Sequence, residues 1–333
     1  MTKVLICGDG VAASCCERLL AQAGLSILFE PVDRPRLPAV MLGDRALALI
    51  RDVFGNDDLF EDAPRVNRRV VAWGTDARTI AVEHSAVVVS EEKLLRDLRG
   101  GAVADAGSSA APGWTIFASR PLPEPNVEHS FGTRIASSAP VTLRAASQPG
   151  TCWIESLESG WLFLIPDAPG SAWLLAVGAA PDTLLAQSRV VANEIDTIQP
   201  AKGRFPAYPR IVWPLAADGW IACGTAAMAF DPLCGDGTAH AIREAILASA
   251  VVRAVAEGRQ RPAVLAHYQA RLTAGFRRHL ELCHGYYESG GSGPWWQTEL
   301  GAIREGIAWC DSQLRDHGAF RYQLRDFELH ALA

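Results

Sequence analysis

The chain opens with a short apolar run that meets two glycines in close order: Val4-Leu5-Ile6-Cys7-Gly8-Asp9-Gly10-Val11-Ala12-Ala13. Residues 4–7 suit a buried strand. Gly8 allows a tight turn, Gly10 lets the backbone approach a pyrophosphate, and Ala13 keeps the next helix close to the sheet. That helix starts near Val11, so the free N–H groups of its first turn, those of Val11 and Ala12 among them, face the glycine turn. Gly24 ends the helix and residues 25–29 read as a second strand. Glu30 closes that strand, where a carboxylate accepts hydrogen bonds from ribose hydroxyls. Strand, glycine turn, helix, strand and terminal acid together point to a Rossmann-like dinucleotide site. The alternative for the same residues is a glycine-rich turn that only packs.

The composition suits a soluble globular protein. At 333 residues the chain can hold one large or two modest domains. A formal charge of −6, with no basic cluster among aromatics, argues against a nucleic-acid partner. No run approaches the ~18 apolar residues of a membrane span; the nearest, 161–180, is broken by Pro166, Asp167 and Pro169. The start reads as a strand rather than a signal peptide, so the cytoplasm is the expected compartment. The eight cysteines show no CxxC and no zinc-like spacing. They read as reduced, mostly buried thiols, and no metal site is expected. Cys234 stands apart because it lies inside a glycine-rich segment.

Along the chain, residues 43–54 read as a helix ended by Gly55-Asn56-Asp57-Asp58. Residues 69–73 and 79–82 read as a hairpin around Gly74-Thr75-Asp76, 91–98 as a short helix and 100–113 as a loop. Short strands broken by proline and glycine dominate 114–191, which suggests an antiparallel second lobe. Residues 181–195 and 238–257 have helical character. From Pro262 to the end the pattern is helical, interrupted at 289–294.

A second glycine-rich corner follows the strand 219–223: Gly224-Thr225, then Asp231-Pro232-Leu233-Cys234-Gly235-Asp236-Gly237-Thr238 leading into the long helix. The positive end of that helix favours negative charge developing in the loop before it. Two helix N-termini serving one cofactor suit FAD, one for the pyrophosphate and one for the isoalloxazine. With these residues the chain resembles the glutathione-reductase-type flavoproteins, in the branch of aromatic hydroxylases and flavin-dependent halogenases. Gly8, Gly10, Ala13 and Glu30 match the AMP-side motif, and 224–237 match the second FAD motif. Gly160-Trp161-Leu162-Phe163-Leu164-Ile165-Pro166 is similar to the halogenase-branch run G-W-x-W-x-I-P. Cys283-His284-Gly285-Tyr286-Tyr287 through Trp295-Trp296 is similar to the aromatic C-terminal region of the members that modify tryptophan in quinone-cofactor enzymes.

The resemblance implies a p-hydroxybenzoate-hydroxylase-like α/β fold. Its FAD-binding domain would comprise 1–65, 85–120 and 205–261, its β substrate lobe 66–84 and 121–204, and its helical C-terminal region 262–333. It implies hydroxylation of an electron-rich aromatic through a flavin C4a-hydroperoxide, on a small molecule or on a tryptophan in a peptide or protein. NAD(P)H or a separate flavin reductase would supply the electrons. Gly8, Gly10, Val11, Ala12, Ala13, Glu30, Arg96, Gly224, Thr225, Asp231, Gly235, Asp236, Gly237 and Thr238 are the expected cofactor residues. Trp73, Trp161 and Phe163 are expected on the substrate side, with Trp73, Asp231 and His240 the candidates for chemistry. Three departures from the family stand out. Thr225 replaces an aspartate, Glu91 and Glu92 stand where an arginine is common, and no lysine lies near position 75, where halogenases need one. A flavin-dependent reductase and a weakly FAD-binding maturation protein remain alternatives.

Overall fold

The computed structural model describes residues 3–75, 78–99, 112–318 and 320–332. In it the first apolar run is strand Lys3–Cys7, inside a five-stranded sheet. Ser26–Glu30 lies on one side and Trp114–Phe117 on the other, both parallel to it, with Cys7 in register with Glu30 and Phe117. Trp220–Ala222 continues the parallel set, and Ala216–Ala217 closes the edge in the antiparallel sense. Parallel strands are covered on both faces, so their sequences run apolar without alternation; Val4 and Ile6 are fully buried here. Helix Val11–Gln22 packs against helix Gly237–Ala256. Ala12, Ala13, Ala245 and Ala248 are buried on these two helices, and such small side chains let the backbones come close.

The second sheet has nine strands. Eight run in the order Ile195–Ile198, Ile135–Leu143, Ser171–Gly178, Gly160–Ala168, Thr151–Leu157, Arg65–Ala72, Thr79–Val89 and Val40–Gly43; Gly203–Pro206 also pairs with Ile135–Leu143. Arg65–Ala72 against Thr151–Leu157 is a parallel junction between two antiparallel blocks. Alternate side chains of Gly160–Ala168 face opposite ways. Trp161 and Phe163 join the main core, whereas Leu162 and Leu164 join a smaller one with Trp153, Leu174, Leu184 and Val191. Both faces are covered, which explains the unbroken apolar run. A small sheet of Met228–Ala229, Arg210–Trp213 and Val127–Ser130 completes this region.

Three local outcomes differ from the sequence reading. The helix expected over 181–195 is two, Pro181–Gln187 and Val191–Glu194. The buried Glu155 carboxylate splits them by accepting from Arg189 N (2.9 Å), Val191 N (2.9 Å) and Ser188 Oγ, which turns the chain. The helical pattern after Pro262 holds for Arg261–Gly290 and Pro294–His317, but the end is a hairpin, Tyr322–Arg325 with Glu328–Ala331. It turns on Asp326 and Phe327 at φ 46° and 62°, without the glycine that normally marks such a turn. Buried Leu329 and a 2.8 Å Arg253–Glu328 ion pair fix it to helix Gly237–Ala256. The strand Val40–Gly43 extends the β lobe into the N-terminal segment. Most of the loop expected over 100–113, and Asp76 of the hairpin turn, lie outside the described residues. Among the described residues no helix is long and apolar enough to cross a membrane.

Candidate functional site

The two glycine corners touch. Gly224 has φ +55°, and a Cβ built on it would lie 2.8 Å from the Ala12 Cβ. Gly8 has φ +131°, and its Cβ would lie 2.7 Å from Ser119 Oγ. Side chains at either position would push the strand ends apart. Gly10 is the N-cap of helix Val11–Gln22 and has no side chain to satisfy the first-turn N–H groups. Gly10, Val11 and Ala12 border a cavity of about 440 Å³. Gly224, Thr225, Asp231, Gly235, Gly237 and Thr238 border the same cavity. Its far wall is the face of the large sheet, with Phe163, Ile165, Trp173 and Leu175, and Phe205 beside them.

Charged groups gather at the first glycine corner. Arg34 reaches Glu91 at 3.1 Å through Nη1, and Leu37 N donates to the same carboxylate at 2.8 Å. Arg36 pairs with Asp9, and Arg99 Nη2 donates to the Asp9 carbonyl at 2.7 Å. The buried Nε of Arg34 has no hydrogen-bond partner and lies 3.5 Å from Asp9 Oδ1. Beneath the second corner, Gly224 N donates to Glu244 Oε2 at 2.7 Å. Burial pushes the Glu244 carboxyl up to about 8, so it is protonated at neutral pH. Its Oε1 has no protein partner, and Glu244 borders the cavity.

Asp231 anchors a buried polar network. It accepts from Arg134 Nε at 2.7 Å, from Tyr287 Oη at 2.8 Å and from Leu233 N at 2.9 Å. Its own N–H donates to His279 Nε2 at 2.9 Å. Arg134 also pairs with Glu299, which accepts from Thr133 Oγ1 at 2.9 Å. Trp161 Nε1 donates to Tyr287 Oη at 3.2 Å. The Tyr287 phenol is pushed well above its ordinary range by burial. With both carboxylate oxygens engaged, Asp231 shapes the loop.

The structure brings Gly10, Val11, Ala12, Gly224, Thr225, Asp231, Gly235, Gly237, Thr238 and Phe163 to one cavity and leaves other expected residues off it. Gly8 and Ala13 act from behind the turn, as close-packing positions. Glu30 holds the strand end, its carbonyl accepting from Gly8 N at 2.8 Å, with its side chain exposed. Arg96 turns away and pairs with Glu92 on the surface at 2.9 Å. Trp161 is fully buried and bonded to Tyr287, one alternation step before Phe163, which borders the cavity. Trp73 donates to the Tyr286 carbonyl at 3.0 Å and packs edge-on against Trp296 at 5.7 Å. His240 stacks on Phe230 at 4.1 Å and pairs with Asp236 at 3.0 Å. Tyr287 and Trp296 are core, whereas Tyr286 is exposed. Sequence reasoning missed Arg34, Glu244, Arg134 and His279, and noted Glu91 only as a departure from the family pattern. Of these, only Arg34, in the Arg34-Pro35-Arg36 triplet just past strand Ser26–Glu30, carried a local signal. No metal was expected, yet Cys234, His279 and Cys283 place three ligand-type atoms within 4.8 Å of one another.

No family model matches the chain, and no curated protein matches it in sequence. Solved structures do match in shape. The peptidyl tryptophan dihydroxylase QhpG, described as essential for tryptophylquinone cofactor biogenesis, superposes with a TM-score of 0.75 at 18% identity, over 99% of this chain and 86% of that one. The flavin-dependent brominase Bmp2 gives 0.70 at 18%, over 95% and 92%. The R204Q variant of Klebsiella pneumoniae HpxO, complexed with FAD, gives 0.60 at 16%, over 96% of each chain. The chain therefore has the fold shared by the FAD-dependent monooxygenases and the flavin-dependent halogenases.

Proposed function

We propose that this protein is an FAD-dependent monooxygenase that hydroxylates an electron-rich aromatic ring, with a tryptophan side chain of a peptide or protein as the substrate class. The carrying observation is continuity: two glycine corners distant in sequence border one cavity whose far wall is an apolar sheet face. The residues present fit the cofactor. Gly8 and Gly224 lack a Cβ where one would collide, and the buried Arg34 Nε and Glu244 Oε1 have no hydrogen bond within the protein.

In this proposal Gly10, Val11, Ala12 and Arg34 hold the pyrophosphate, and Glu30 holds the adenosine ribose. Gly224, Thr225, Asp231, Gly235, Gly237 and Thr238 hold the flavin half. The division into an FAD domain (1–65, 85–120, 205–261), a substrate lobe (66–84, 121–204) and a helical region (262–333) belongs to the same proposal. Bound FAD, reduced by NAD(P)H or by a partner flavin reductase, would supply oxygen activation.

The chain's own contribution is electrostatic and steric. The N-terminus of helix Gly237–Ala256 favours negative charge in front of it. Protonated Glu244 offers an O–H to the cavity where a carboxylate would repel phosphate. Phe163, Ile165, Trp173 and Leu175 exclude water and offer a wall for an aromatic ring. The peptide preference draws on the likeness to QhpG and on exposed Leu282 and Tyr286 on helix Arg261–Gly290. Halogenation is disfavoured because residues 4–92 contain no lysine.

One observation favours a second reading, that of a maturation protein holding FAD weakly. The Thr225 hydroxyl, in place of the family's aspartate, donates to the Ala118 carbonyl at 3.2 Å and carries no charge. Reconstitution separates the two. With FAD the protein should turn yellow, and with reductant and ¹⁸O₂ it should add labelled oxygen to a tryptophan-containing peptide. A colourless protein at saturating FAD would establish the second reading. A flavin that reoxidises without labelling any aromatic would leave a reductase.

A further inference from the structure

The turn after Asp231 carries chemistry that the oxygenase proposal does not use. Cys234 Sγ lies 3.6 Å from Cys283 Sγ, which lies 3.3 Å from His279 Nε2. The two cysteines belong to different elements, the turn Pro232–Cys234 and helix Arg261–Gly290. Both are free thiols, Cys234 part-exposed and Cys283 buried. A disulfide needs the sulfurs at ~2.0 Å, so the pair must close by about 1.5 Å. The next residue, Gly235, has φ +66°, and a Cβ built there would meet nothing within 4 Å.

The two thiols are unequal. The hydrogen bond with Cys283 draws the Cys234 thiol down to about 7, against burial and with help from His279. Burial pushes the Cys283 thiol well up. An accessible, readily ionised thiol beside a buried protonated one is the division of labour between an attacking and a resolving cysteine. The same atoms could be imagined around a metal. However, the single in-plane lone pair of His279 Nε2 already accepts the Asp231 N–H at 2.9 Å, a bond that holds the Asp231 loop.

The geometry points to Cys234 and Cys283 as a reversible disulfide-forming pair that reacts with hydrogen peroxide. The Cys234 thiolate attacks the peroxide: an S–O bond forms, the O–O bond breaks, and the departing hydroxide takes up a proton to become water. The Cys283 sulfur then loses its proton and attacks the sulfenic sulfur. The S–S bond forms, the S–O bond breaks, and a second water leaves. Two thiols lose two electrons and one peroxide gains them. The bond fastens the loop of Asp231 to the helix that carries Tyr287. On the oxygenase proposal, unproductive turnover is the source of the peroxide; that source rests on the proposal, and the thiol chemistry does not.

The molecule contains its own control. Cys16 Sγ and Cys223 Sγ are 4.0 Å apart but buried, so they should stay reduced. Flavin-free protein is reduced, desalted, treated with hydrogen peroxide, alkylated and digested without reductant. The expected product is a crosslinked peptide joining 234 to 283, lighter by two hydrogens and reversed by dithiothreitol, with Cys16 and Cys223 still alkylatable after unfolding. Cys283→Ser should instead leave a sulfenic acid at Cys234 that dimedone traps. Two unmodified thiols, sulfinic acid at Cys234 without a crosslink, or stoichiometric zinc in the purified protein would each overturn the pair. A second arm uses FAD-loaded protein, reduced and exposed to air, with and without catalase. A crosslink that catalase suppresses supports the turnover source. A crosslink in the first arm alone keeps the pair and overturns that source.

Discussion

Glu244→Gln isolates one buried proton. Glutamine keeps an oxygen for Gly224 N, which now donates to Glu244 Oε2 at 2.7 Å, and replaces the protonated oxygen with an N–H donor. It cannot titrate. In the wild type burial raises the carboxyl from 4.5 to about 8 in the folded protein. Between those values the folded protein holds a proton that the unfolded chain has released, so stability falls as pH rises. The slope from this group alone is about 1.4 kcal/mol per pH unit. From pH 5.5 to 7.5 the loss is on the order of 2.5 kcal/mol. A chain of 333 residues unfolds with an entropy of roughly 0.7 kcal/mol/K. The wild type should therefore lose about 4 °C of melting temperature across that range relative to Glu244→Gln. Melting both flavin-free proteins through the series measures the difference directly, because every other titrating group cancels. Parallel profiles would refute a neutral buried Glu244. FAD affinity should follow the same proton: Glu244→Gln should bind FAD comparably at pH 6 and pH 9, while the wild type weakens above pH 8.

Gly224→Ala should destabilise by at least the ~1–2 kcal/mol of a left-handed non-glycine residue and should abolish FAD retention, because its Cβ meets Ala12 at 2.8 Å. Gly258→Ala, with positive φ in open space, should show the strain but keep FAD, and equal losses would disprove the cradle. Asp231→Asn leaves buried Arg134 short of a charged partner and should cost about 3–5 kcal/mol in urea unfolding; a change below ~1 kcal/mol would show that the network is not a coupled unit. Trp161→Ala should cost about 3–5 kcal/mol with FAD binding retained in the surviving folded protein, whereas Phe163→Ala should raise KM for an aromatic substrate.

The fold was largely legible because its signals are local. Gly8, Gly10 and Ala13 carry steric demands that any Rossmann-like turn makes, and the strand–turn–helix at 219–238 repeats them. The terminal hairpin was illegible because Asp326 and Phe327 take left-handed turns without a glycine to announce them. Within the site, backbone positions were readable and side-chain partnerships were not. Arg96 looked available from its helix, but its i−4 neighbour Glu92 claims it, while Arg34 arrives from an irregular segment. Trp161 and Phe163 share a face; Trp161 is buried against Tyr287 while Phe163 borders the cavity, a difference that only tertiary packing sets. The links of Glu244 to Gly224 and of Arg134 to Asp231 span 20 and 97 residues, and nothing in either segment names its partner.

The interleaved order of the parallel sheet sets a schedule for making the protein. The first glycine corner emerges from the ribosome roughly 200 residues ahead of the one it must touch. At about 5–20 residues per second that interval is on the order of 10–40 s. A nascent chain cannot close the pocket in that time, so on the oxygenase proposal the coenzyme is captured only once the second corner has left the ribosome.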